Sequence, residues 1–200
     1  MQTISFEDLK GRFQAVSGLQ TLDATDIFFM LNSMNLHLRE AWDRAKWPEL
    51  LNIEEVAIGA TPTFGKASAQ VDHDVLNVYD KNPWENPSAR SLYYTLIDSR
   101  IVLQAQFPQG TIFVLKKVPF VNYTEDSTDI PAFFEKYASA SILADFYRGD
   151  AQSEKAQFEE QRSEEILLRQ IDRVERLEQQ NTPQVGQYTR NVNRSIFQTT

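Results

Sequence analysis

Apolar residues recur along this chain first at helical spacing, then in alternation, then at helical spacing again, and the two changes of period divide it. Ser5 followed by Asp8 has the form of a capping box, and Phe6, Leu9, Phe13 and Val16 then fall on one helical face, which predicts a first helix closed by Gly18. A second stripe, Ile27, Leu31, Met34, Leu38 and Trp42, predicts a helix that starts near Thr25 and stops before Trp47-Pro48, because the residue preceding proline disfavours helix. His37 lies beside that stripe with no acidic residue at i+4, so it reads as a packed or surface residue and not as a ligand.

After Pro48 the helical period is gone. Leu51 to Ile58 predicts a strand, Gly59 to Asp74 has few large apolar groups and reads as a long loop that orders only against a neighbour, and Val75 to Tyr79 is a short strand. Asp80 to Pro87 is a proline-punctuated loop with Asn82, Pro83 and Trp84 near its middle. Leu92 to Ile97 alternates as a strand, and Asp98-Ser99 is a tight turn. Ile101, Leu103, Ala105 and Phe107 then lie on one face with Val102, Gln104 and Gln106 opposite, and Thr111 to Lys117 returns as a further strand.

The helical period resumes at Asp129, which is placed to accept the first free N–H groups ahead of Pro131. Phe133, Phe134, Tyr137, Ile142, Leu143 and Phe146 follow, Gly149 is expected to end this helix, and Ala138 to Ser141 admit close approach of a neighbouring helix. From about Ser153 a longer helix carries Phe158, Leu167, Ile171, Val174 and Leu177 on one side until Asn181 and Pro183, roughly 40 Å at about 1.5 Å per residue. Glu165 to Arg169 and Asp172 to Arg176 have the spacing of i,i+4 ion pairs on its outer surface. The last segment, Thr182 to Thr200, has no acidic residue and few groups to bury, so it reads as an arm that orders on a partner. Together these elements predict an α+β fold: a helical bundle with four main helices, one long, from 1–48 and 129–181, a small antiparallel β meander inserted over 49–128, and an extended C-terminal arm over 182–200.

Composition narrows the chemistry. The chain has no cysteine, which excludes thiol catalysis, disulfides and thiolate metal sites. Its net charge of −8 argues against tight, sequence-independent binding to a phosphate backbone, and no apolar run is long enough to span a membrane. The glycines form no phosphate-cradling loop, no serine has a nucleophile-elbow setting, and Asp72-His73-Asp74 lacks a second histidine or carboxylate at metal-ligand spacing. Neither a cofactor nor an enzymatic activity is expected.

The order of elements resembles the adaptor, or head-to-tail connector, proteins of tailed bacteriophages, and is most similar to the tubular-tail A proteins of short-tailed phages. The resemblance is carried by Leu31 to Trp47 as a helix ending in an aromatic, Val75-Leu76-Asn77-Val78-Tyr79-Asp80 with the Asn82-Pro83 loop, Thr111 to Lys117, and Ile130-Pro131-Ala132-Phe133-Phe134-Glu135 through Glu165. It implies a virion structural protein of the neck, assembled in the bacterial cytoplasm as a homo-oligomeric ring of about twelve copies with heterologous interfaces. It implies a portal protein bound through the arm (Tyr188, Arg190, Arg194, Ile196, Phe197), a tail or nozzle protein met by the loop at Asn82, Pro83 and Trp84, and an inter-subunit face on the long helix (Glu165, Arg169, Asp172, Arg176). DNA would pass through the ring without specific binding. Two alternatives stand beside it: an interaction module whose long helix pairs as a coiled coil, and a metal-dependent hydrolase using Asp72, His73 and Asp74.

Overall fold

The computed structural model describes residues 2–61, 66–71, 74–104 and 110–181. Two compact units are present: one spans Lys46–Ser127 together with the first three residues, the other Ile4–Ala45 and the chain from Thr128 onward.

The first unit is a substantial sheet, not the small meander expected. Strands β2 (Leu51–Thr61), β3 (Lys66–Gln70), β4 (Val75–Tyr79), β5 (Tyr94–Ile97), β6 (Arg100–Leu103) and β7 (Gly110–Lys117) form six antiparallel strands in the order β4-β7-β2-β3-β6-β5. β7 lies between β4 and β2, so strands adjacent in sequence are not always adjacent in space. The edges approach each other: Tyr79 bridges Ser91 just ahead of β5, and the Leu92 N–H donates to the Val78 carbonyl at 2.8 Å. The sheet therefore curls into a nearly closed barrel, which removes exposed strand edges. Its interior holds Ile58, Val78, Ile101, Leu103, Ile112 and Val114.

Two departures from the expected strands have physical causes. β2 continues past Ile58, pairing with β7 up to Ile58 and with β3 from Gly59 to Thr61. The segment read as a loop contains β3, whose Ala67, Ser68 and Ala69 are all buried. Small side chains fit the confined space, and their lack of large apolar alternation hides the strand from pattern reading. Val102 is also buried and does not face solvent opposite Ile101 and Leu103. Asp98 and Ser99, both at positive φ, form the two-residue turn between β5 and β6. Ala105, Gln106 and Phe107 lie outside the described residues.

The second unit is built around one helix. α1 (Phe6–Ser17) begins at the Ser5–Asp8 capping box and ends at Gly18 in the left-handed region. α2 (Ala24–Arg44) is capped by Asp23, with Asp26 closing a second box. It stops three residues before Trp47. α3 (Glu135–Gly149) packs against α1, α2 and α4 (Ser153–Asn181). Tyr137, Ala138, Ala140, Ser141, Ile142, Leu143 and Ala144 are all buried. Phe13 meets Phe146 edge to face at 5.2 Å between ring centroids, and Trp42 lies 6.1 Å from Phe134.

The ends of α3 differ from the sequence expectation. Asp129 does not cap it, because Ile130–Pro131 is extended as β8 and pairs with β1 (Thr3–Ile4), and a 3-10 turn at Ala132–Phe134 precedes the α-helix. Proline's bias on the preceding residue favours that extended entry. Gly149 is the last helical residue and not the terminator. The left-handed position is Ala151 (φ 57), where the Gln152 N–H donates to the Tyr147 carbonyl at 2.9 Å and the Ala151 N–H to that of Arg148 at 3.3 Å. This is a Schellman arrangement with alanine where glycine is favoured. Replacing Ala151→Gly is expected to raise stability by roughly 0.5–1 kcal/mol, the left-handed penalty of an L-residue less the larger entropy loss of glycine. Thermal or urea unfolding of the two proteins checks it.

Candidate functional site

Three polar residues of the helical unit, Ser33, His37 and Asp145, converge on one another. Ser33 and His37 share one face of α2 at i,i+4 spacing, and Asp145 stands opposite them on α3. Ser33 Oγ donates to Asp145 Oδ2 at 2.7 Å, His37 Nε2 lies 2.8 Å from the same oxygen, and Arg148 reaches Asp145 Oδ1 at 3.1 Å. Although the three residue types are those of a hydrolytic triad, the geometry is different. The serine hydroxyl is spent on the carboxylate and not on the imidazole, so no base is placed to activate it. The cluster ties α2 to α3. Burial acts to raise the Asp145 pKa, but the hydrogen bonds from His37 and Ser33 and the nearby cations outweigh it and hold the carboxyl below its ordinary value of 3.8. His37 thus has an acidic partner that the sequence did not reveal, because the two are 108 positions apart.

Among the described residues no three acidic or histidine side chains converge to hold a metal ion. Asp72 and His73 lie outside the described residues, so the Asp72-His73-Asp74 cluster is represented by Asp74 alone.

On α4 the expected ion-paired surface is partly present. Arg169 pairs with Glu165 at 2.6 Å, and Arg44 of α2 holds Glu164 through two hydrogen bonds of 2.7 and 2.9 Å. No ion pair joins Asp172 to Arg176. Both instead line a shallow hollow of about 340 Å³ with Arg169, Arg173 and Leu177. Counting about 100° per residue, Glu165, Arg169, Asp172 and Arg176 share the face of α4 opposite its buried Leu167 and Val174. Phe158 is also on that outer face, 65% exposed, and so does not join the buried stripe to which its spacing assigned it.

In the sheet unit the Asn82-Pro83-Trp84 loop is held by its own backbone. Asn82 Oδ1 accepts from the Trp84 N–H at 3.0 Å, its carbonyl accepts from Asn86 at 2.9 Å, and Asp80 Oδ1 accepts from the Arg90 N–H at 2.7 Å. These bonds present Trp84 to solvent, and Tyr93 and Leu96 are exposed as well. Tyr188, Arg190, Arg194, Ile196 and Phe197 lie outside the described residues.

The surface that sequence reasoning missed is on α2. The buried side of this helix holds Met34, Leu38 and Trp42 of the anticipated stripe together with Met30, Ser33 and Ala41, and Phe28 and Leu36 stand on the opposite side, 67% and 64% exposed. The signal was present, since α2 carries apolar residues on nearly every face, yet periodicity alone does not say which face a neighbour covers. No protein-family model matches the chain, and no curated protein matches it in sequence.

Because the Asp145 pKa is depressed on folding, its contribution to stability is present above its unfolded value and is lost as pH falls through the lower folded value. Asp145→Asn is expected to cost about 1–2 kcal/mol at pH 7 by weakening charge-assisted hydrogen bonds. Its unfolding curve should approach that of the parent in strong acid. A pH series of urea midpoints checks both the loss and the convergence.

Proposed function

We propose that this chain is a virion structural subunit whose copies assemble side by side into an adaptor ring between capsid portal and tail, leaving a channel for DNA. The observation that carries this reading is the presence of large exposed apolar side chains on two helices of one unit: Phe28 and Leu36 on α2, Phe158 and Leu168 on α4. A closed ring requires each subunit to offer two unlike faces, one for each neighbour, whereas a monomeric enzyme gains nothing from large exposed apolar side chains in separate places. The exposed Trp84 on a backbone-pinned loop supplies a further anchor suited to a partner on the sheet side, such as a tail or nozzle protein.

The coiled-coil alternative is weakened, because two of the four residues that would form its seam (Leu167, Ile171, Val174 and Leu177), Leu167 and Val174, are buried within the helical unit, where α4 packs along α3. The charge of −8 suits a channel wall that holds few phosphates and so lets DNA move.

Mass measurement of the protein with a candidate portal ring, and of each alone, tests the reading: a complex carrying many subunits per portal is expected, and unchanged masses would sink it. Removing Thr182–Thr200 should leave a folded subunit that no longer joins the portal; an unaltered complex would show that the arm is not the anchor. Strong, salt-sensitive DNA affinity of the assembled ring would contradict a low-friction channel.

A further inference from the structure

The outer side of α4 gathers cations toward its C-terminal end. Counting about 100° per residue, Arg169, Arg173 and Arg176 fall within an arc of roughly 60°, and with Asp172 and Leu177 they line the shallow hollow of about 340 Å³. All five residues are exposed. Arg169 is engaged by Glu165 at 2.6 Å, whereas Asp172, Arg173 and Arg176 have no ion pair among the described residues. The positions three and four residues from Arg173 hold Arg169, Gln170, Arg176 and Leu177, so no carboxylate of its own helix is spaced to meet it. Like charges at these spacings oppose one another, and the cluster therefore detracts from the stability of α4.

We infer that this hollow docks a carboxylate-rich surface of a partner protein, the one that also takes up the C-terminal arm. Its place in the chain supports this: the hollow lies on the last turns of α4, which ends at Asn181, directly before the segment 182–200 whose composition calls for a partner to order it. Charge supports it as well. From Arg169 to Thr200 the chain has five arginines against three acidic residues, although over its whole length acidic residues outnumber basic ones by 28 to 20. A guanidinium offers paired N–H donors that match a carboxylate, so three side by side suit a surface bearing several acidic side chains. Asp172 discriminates between an acidic protein and a nucleic acid. A phosphate backbone offers acceptors and would leave Asp172 facing charge of its own sign, whereas an acidic protein surface also carries donors to meet it. The net charge of −8 opposes phosphate binding further. Identifying the partner with the portal rests on the ring reading above; the acidic character of its docking surface does not.

The full-length parent, Arg173→Glu and the double variant Arg173→Glu/Arg176→Glu are titrated at low salt with a fluorescent oligoglutamate peptide and, separately, with an oligothymidylate of equal charge. The parent should bind the peptide roughly tenfold more tightly than the double variant does, with Arg173→Glu between them, and more tightly than it binds the oligonucleotide. The arm, with Arg190 and Arg194, is present in all three proteins, so the difference reports the hollow. Thermal unfolding should show no loss of stability in either variant, because the replaced groups repel one another. Tighter binding of the oligonucleotide, or equal peptide affinity in parent and double variant, would overturn the assignment. Self-association of the parent that the double variant loses, read by sedimentation, would overturn it in favour of a second copy as the occupant. On a candidate portal ring the double variant should bind more weakly than the parent and with less dependence on salt. Equal binding there would overturn the shared docking surface and leave the ring reading standing, whereas a portal that does not bind the parent would sink the ring reading and leave the peptide titration to decide the hollow.

Discussion

The helical unit depends on the burial of α3. Seven residues from Tyr137 to Ala144 are withdrawn from water, and a 15-residue helix that is apolar on so much of its circumference cannot exist without neighbours. α1, α2 and α4 supply three of them, through the Phe13–Phe146 edge contact, the His37–Tyr137 edge contact and the inner face of α4. Each fully buried large aliphatic or aromatic side chain contributes about 1.5–3 kcal/mol, which exceeds anything the surface ion pairs can add. The half-buried Asp145 cluster acts differently, fixing how α2 sits on α3 in a contact that apolar packing would otherwise leave free to slide.

The same constraint orders the exposed surface. Helices packed around a common partner turn one side inward and leave the other outward, so apolar groups on an outer side are available to something else. Phe28, Leu36 and Phe158 are of this kind. The ring proposed above would draw on this distribution over two helices. The sheet unit manages its surface in another way, curling until Tyr79 meets Ser91 and leaving Trp84 and Tyr93 outward on connections, not on open strand edges.

Local signals proved readable where the physics is local. The Ser5–Asp8 box, Gly18 at a left-handed cap, the Asp98-Ser99 turn and the strand Val75–Tyr79 each depend on a few consecutive residues, and each forms as anticipated. Signals failed where a distant segment decides. The small residues of β3 become a strand only because β2 and β6 flank them. Asp129 loses its capping role because Ile130–Pro131 pairs with the chain start, and Gly149 yields the left-handed position to Ala151. The small meander anticipated for the middle of the chain is instead a six-stranded, nearly closed barrel, because β7 inserts between β4 and β2, an order that alternation cannot encode.

What the sequence determined by itself was the kind of element at most positions, the two changes of period, the lack of thiol chemistry and the acidic balance, all of which depend on residue type and near-neighbour spacing. Only the tertiary structure decided that His37 and Ser33 meet Asp145 and that Phe28, Leu36 and Phe158 face out. Helical periodicity says that a helix has an apolar side; which apolar side is buried, and which is left for a partner, follows from where the other helices lie.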